Sequence, residues 1–187
     1  MEKTWTRRQP PCVNSVLKRQ RMRLASYDYS RAGAYFVTVC VRDRKCLFGA
    51  IEAEEMCSTR IGQTVASCWL EIPKHFPNAA LDEFVIMPNH LHGIILLNDV
   101  VAGHARPLPV IIGSFKSAVS RQAGSSVWQR SYWERIIRSE AELNQARRYI
   151  EENPARWPAD KENPANAHAE PCPATPRGTN LIWPRSR

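Results

Sequence analysis

Apolar positions fall into a few short stretches whose spacing divides the chain into strands and helices. Ala34-Tyr35-Phe36-Val37-Thr38-Val39-Cys40-Val41 is β-branched and aromatic, the pattern of a buried strand. Arg42-Asp43-Arg44-Lys45 reads as a charged turn, and Leu47 to Met56 as a small hairpin or extended flap. From Thr59 the spacing becomes helical. Ile61, Val65, Cys68, Trp69 and Ile72 share one face, and Pro73 ends the run. Two apolar strands follow, at about 80–87 and 91–97, joined at Pro88-Asn89. Residues 98–107 read as a loop containing His104. A second helix is predicted over Leu108 to Gln122, with Ile111, Ile112, Phe115 and Val119 inward and Lys116 and Arg121 outward. Val127 to Ile137 is aromatic-rich and partly extended, the candidate for the last strand and its turn. Ser139-Glu140-Ala141-Glu142 forms a capping box that opens a helix from about 140 to 152. Asn153-Pro154 should stop it, because the residue before proline disfavours the α region.

The order strand, helix, strand, strand, helix, strand predicts an α+β fold, a ferredoxin/RRM-like antiparallel sheet with two helices on one face. The third helix then has the opposite face available. Residues 1–33 read as a basic N-terminal arm, 34–157 as the folded domain, and 158–187 as a Pro-rich tail with little hydrophobic pattern.

Charge sharpens this picture. The formal net charge is +8, and residues 1–31 carry Lys3, Arg7, Arg8, Lys18, Arg19, Arg21, Arg23 and Arg31 against Glu2 and Asp28. Such an arm attracts polyanions, of which nucleic acid is the commonest in a cell. The six cysteines show no C-x-x-C spacing, no secretory signal is evident, and no run approaches the ~18 apolar residues of a membrane span. Free thiols in a reducing cytoplasm, with no membrane attachment, are expected.

The candidate chemistry sits at Pro88-Asn89-His90-Leu91-His92. Strand side chains alternate faces, so His90 and His92 point the same way, roughly 6 to 7 Å apart along the strand. They suit a shared metal ion, or equally a hydrogen-bonded pair in an ordinary core. On the last helix Leu143, Ala146 and Ile150 form the apolar stripe, and Asn153 lies one turn beyond Tyr149 on the same flank. With that helix packed across the histidine face, two imidazoles, a carboxamide and a phenol would meet. A phenol of pKa ~10 becomes a useful nucleophile when a cation stabilises its phenolate or a base takes its proton.

Met87-Pro88-Asn89-His90-Leu91-His92 resembles the His-hydrophobic-His motif of the IS200-like single-tyrosine HUH transposases, and most of all that of the REP-associated tyrosine transposases. The resemblance runs through Tyr35-Phe36-Val37-Thr38, Gly113-Ser114-Phe115-Lys116-Ser117, Trp128-Gln129-Arg130-Ser131-Tyr132 and Arg148-Tyr149-Ile150-Glu151-Glu152-Asn153-Pro154, and covers about residues 34–157. It implies that His90 and His92 bind Mg²⁺ or Mn²⁺. Asn153 stands where relatives carry a polar third ligand, often a longer amide. It also implies that Tyr149 attacks a single-stranded DNA phosphodiester, leaving a 5′-phosphotyrosine and a free 3′-hydroxyl. Family members recognise imperfect DNA hairpins and act as monomers or homodimers, in the bacterial cytoplasm at the nucleoid.

Lys18, Arg19, Arg21 and Arg23 of the arm, with Lys116, Arg121, Arg130 and Arg148, are the candidates for contacts to the DNA backbone. Trp128, Tyr132 and Trp133 are candidates for stacking on unpaired bases, or else fill the core. Two rivals stand beside transposition: a non-catalytic hairpin-binding regulator on the same scaffold, and a metal-dependent phosphodiesterase that uses water.

Overall fold

The computed structural model describes residues 28–29, 31–98, 106–160 and 162–166. The arm residues Lys18, Arg19, Arg21 and Arg23, His104, and the tail from 167 onward lie outside the described residues.

Strand β1 is Gly33–Cys40. A two-stranded hairpin follows, β2 (Gly49–Glu52) and β3 (Glu55–Ser58). Its turn places Ala53 and Glu54 at φ 49° and 67°, the left-handed pair that matches the twist of a tight hairpin. Helix α1 is Arg60–Leu70, opened by Thr59, whose hydroxyl accepts from the Gly62 amide. Pro73 falls within a one-turn helix, α2 (Ile72–His75), so the long helix ends just before it. Strands β4 (Ala79–Met87) and β5 (His90–Leu97) precede helix α3 (Leu108–Gln122), strand β6 (Trp133–Ile137) and helix α4 (Glu140–Glu151).

Four strands form one antiparallel sheet in the order β4-β5-β1-β6, so the two central strands are the first and the third of the sheet in chain order. Alternation sorts their side chains. Tyr35, Val37, Val39, Leu91 and Ile95 face α1 and α3, where they pack with Val65, Trp69, Ile111, Ile112, Phe115 and Val119 in the main core. Phe36 and Ile94 face the other way and, with Ile137, meet Ala146 and Ile150 of α4 in a smaller core. The α+β sandwich with two long helices on one face and the tyrosine-bearing helix on the other is therefore the architecture that the spacing predicts.

Three local differences have physical reasons. Residues 127–132 do not join the sheet, and β6 begins only at Trp133. Trp128 is buried there instead, linked to Val41 by one bridge and donating its indole N–H to the Lys116 carbonyl. The capping box is also rearranged. Ser139 Oγ accepts the Glu142 amide, but the Glu142 carboxylate takes the N–H of Arg138. Lastly, Asn153-Pro154 interrupts α4 without ending helical structure. One further turn, α5 (Asn153–Arg156), carries Pro154 in its first turn, where a missing N–H costs nothing.

The chain then continues in short 3₁₀ turns at 157–159 and 164–166. Glu162 lies against the β4–β5 turn, its carbonyl accepting from Asn89 and its carboxylate paired with Arg44 at 3.2 Å.

Candidate active site

The β4–β5 turn delivers two histidines to the end of a central strand. His90 and His92 are both buried, at 1% and 6% exposure, on the sheet face covered by α4. Their Nε2 atoms approach to 3.0 Å. Each Nδ1 has its own partner, Asn89 Oδ1 for His90 and Thr38 Oγ1 for His92, both at 2.8 Å.

The Asn89 partner fixes the tautomer of His90. The Asn89 amide nitrogen donates to the Arg44 carbonyl at 3.1 Å and the Glu162 carbonyl at 2.7 Å. Its oxygen must therefore face His90, which makes Nδ1 of His90 the donor and leaves Nε2 with a lone pair. The Thr38 hydroxyl can donate or accept, so His92 is free to present either an N–H or a lone pair at Nε2. Burial discourages protonation of both rings. It pushes His90 down to about 4 despite the attraction of Asp160, and holds His92 well below the usual histidine range, with the neighbouring His90 adding to the effect.

Helix α4 brings Tyr149 over this pair. The phenol ring lies 5.3 Å from the His92 ring and 5.9 Å from Phe36, edge-on to both, while Phe36 stacks on His92 at 5.4 Å. Burial raises the Tyr149 pKa above its ordinary value, and hydrogen bonding with Asn153 opposes that rise. Asn153 itself is 2% exposed, and its Oδ1 has no hydrogen-bond partner. An orphaned buried amide oxygen costs free energy unless something occupies it.

The two convergent imidazole nitrogens are donors of the kind a divalent transition-metal cation takes. Among the described residues no three histidines, cysteines or carboxylates gather in one place.

The predicted cations separate. Arg148 is exposed beside Tyr149 on α4. Arg130 and Lys116 line an open groove on the far side of the sheet end, with Arg42 and Arg44. The Lys116 ammonium donates there to the carbonyls of Gln129, Arg130 and Ser131, at 2.6, 3.3 and 3.4 Å, and so holds that wall together. Arg121 borders a different cavity, between α1 and α3. Of the three aromatic candidates, Trp128 and Tyr132 are buried, while Trp133 is 38% exposed on edge strand β6. Trp133 pairs across the sheet with Thr38, the partner of His92, and meets Phe36 edge-on at 5.9 Å.

Sequence reasoning missed Asn89, Thr38, Trp157 and Asp160. Trp157 is buried with its ring 6.1 Å from His90, and Asp160 lies close enough to influence both His90 and Tyr149. Asn89 and Thr38 carried a signal, each being a polar residue at the end of, or inside, an apolar strand beside the histidine pair. Asp160 carried none, because its segment has no periodicity.

No family model matches the chain. It is 39% identical over 165 residues to an uncharacterized protein of Haemophilus influenzae, an alignment spanning 76% of this chain and 92% of that one. A second protein of the same organism, named "Putative REP-associated tyrosine transposase", is 24% identical over 140 residues, or 69% of this chain and 74% of the relative. Among solved structures, a REP-associated tyrosine transposase bound to a REP hairpin superposes with a TM-score of 0.57 at 22% identity, over 72% of this chain and 73% of the other. That superposition establishes a shared fold.

Proposed function

We propose that the chain acts as a REP-associated tyrosine transposase, the kind of protein it is similar to in sequence and shares a fold with, and that it cleaves and rejoins single-stranded DNA beside an imperfect hairpin, with Tyr149 as nucleophile. The observation that carries this reading is the convergence of His90 Nε2 and His92 Nε2 beneath the Tyr149 ring, with the Asn153 oxygen left over.

His90, His92 and Asn153 would hold a divalent cation, Mn²⁺ or Mg²⁺. When bound, that cation supplies charge stabilisation at a phosphate oxygen and eases loss of the phenol proton. Imidazole donors suit Mn²⁺ better than the harder Mg²⁺. Asn89 and Thr38 would orient the two rings through their Nδ1 atoms. Tyr149 Oη forms a bond to phosphorus as the bond from phosphorus to the 3′-oxygen breaks. The phenol loses its proton and the departing 3′-oxygen gains one. The products are a 5′-phosphotyrosine and a 3′-hydroxyl, and the same hydroxyl or another can attack the phosphotyrosine to reseal the strand. Trp133, exposed beside Phe36 and Thr38, is placed to stack on a base next to the reacting phosphate.

The test uses labelled hairpin DNA with single-stranded flanks, incubated with Mn²⁺ or Mg²⁺ and run on a denaturing gel. A covalent protein–DNA band that requires metal and disappears in Tyr149→Phe is expected. Cleavage that persists in Tyr149→Phe would transfer the chemistry to an activated water. Tight hairpin binding with neither metal producing a product would favour a regulatory DNA-binding role.

A further inference from the structure

The proposed chemistry leaves unused the groove on the opposite side of the sheet end. It encloses about 790 Å³ between the turn after β1, the outer face of α3 and the 126–130 segment. Arg42, Arg44, Lys116 and Arg130 line it, against Asp43 in the lining and Glu162 paired with Arg44 beside it, so its charge is positive. Arg42 and Arg130 are exposed, and Arg42 donates to the Ser126 hydroxyl at 2.8 Å across the groove.

The wall of this groove is held in an unusual conformation. Asp43 and Arg44 both have left-handed backbones, at φ 57° and 54°, which neighbouring non-glycine residues rarely adopt. Surrounding contacts hold this turn, as the β2–β3 pairing holds the Ala53–Glu54 turn. Here one of those contacts is the hydrogen bond from Asn89 Nδ2 to the Arg44 carbonyl, while the same carboxamide binds His90 Nδ1. A single side chain thus joins the groove wall to an imidazole of the candidate site.

We infer that this groove docks the phosphate backbone of the single-stranded arm that continues from the cleaved DNA, resting on the reading of Tyr149 given above. Guanidinium groups on two walls match phosphates spaced along one strand, and they carry no base information. Asn89, in the β4–β5 turn, contacts both the Arg44 wall and His90, so the groove and the candidate site meet at that turn. Lys116, whose ammonium is held by three carbonyls, adds to the field and shapes the wall, while Arg42 and Arg130 make the direct contacts.

Fluorescence anisotropy with two labelled substrates tests this, one a hairpin with a single-stranded arm and the other the same hairpin without it. Measurements with Arg42→Glu, Arg130→Glu and the double variant follow a check of each melting curve. The preference for the armed hairpin should fall by about tenfold in the double variant, and the salt dependence of armed binding should flatten by the equivalent of about two phosphates. Equal losses on both substrates would place the duplex in the groove and overturn the inference, as would no loss on either. A wild-type protein that prefers the armed hairpin, loses that preference in the double variant, yet never forms the covalent band supports the groove while removing the Tyr149 reading.

Discussion

At the scale of single residues, the histidine pair is held by two polar neighbours, Asn89 and Thr38. Asn89 is the clearest. Asn89→Ala removes the acceptor at His90 Nδ1 and frees the ring to change tautomer, so Mn²⁺ affinity, followed by electron paramagnetic resonance, should weaken by about 10- to 100-fold. Affinity equal to wild type would show that the ring is held by packing alone. Gly93 matters for a different reason. Trp69 lies so close beneath β5 that a Cβ at position 93 would stand 2.4 Å from its ring. Gly93→Ala should therefore cost about 1–3 kcal/mol in denaturant unfolding, with Trp69 or the strand forced to shift. Protonation of the buried rings gives a further handle. The His90 pKa falls from about 6.5 in the unfolded chain to about 4 in the fold, so the unfolded state binds more protons between those values. Metal-free protein should be most stable above pH 6.5 and lose that contribution as the pH falls toward 4. His90→Gln should flatten the corresponding part of a stability–pH curve.

At the scale of elements, the position of Tyr149, the proposed nucleophile, depends on how α4 is fastened to the sheet. Ala146 and Ile150 bury their side chains against Phe36, Ile94 and Ile137, but this is a small core. A second attachment is polar. Arg147 donates through Nε and Nη2 to both oxygens of Asp82, at 2.9 and 2.6 Å, at an irregularity in β4. The guanidinium holds the Asp82 carboxyl below its usual pKa. Arg147→Ala should lower stability only slightly, because the arginine is partly exposed. Its larger effect should be on the rate of covalent adduct formation in single-turnover assays, and Arg147→Lys should restore little of it, since a point charge cannot replace the planar fork. A full rate in Arg147→Ala would assign the placement of Tyr149 to Ala146 and Ile150. This fastening also shows what sequence reasoning can and cannot reach. Periodicity alone places His90 and His92 on one face and Tyr149 beside Ile150, because local spacing fixes those relations. The Arg147–Asp82 pair, the Trp69–Gly93 contact and the return of residues 157–166 to the β4–β5 turn join positions distant in sequence or lacking any periodic pattern. Residues 127–132 look like strand because they are aromatic, but tertiary packing of Trp128 overrides that propensity.

At the scale of the whole molecule, the two faces of one sheet divide the work. The face toward α1 and α3 holds the large apolar core, and the face toward α4 holds the small core and the imidazoles. Among the described residues no helix is long and apolar enough to cross a membrane. His90, His92, Tyr149 and Asn153 all come from one copy of the chain, with α4 and β4 joined within that copy. A site assembled this way has a definite kinetic and genetic signature. With the proposed site acting within one chain, the rate of adduct formation per chain should not change on dilution. Mixing Tyr149→Phe with His90→Ala should likewise restore no adduct, since neither inactive chain lends its intact half to the other. Recovery of activity in that mixture would mean that helices are traded between copies in solution.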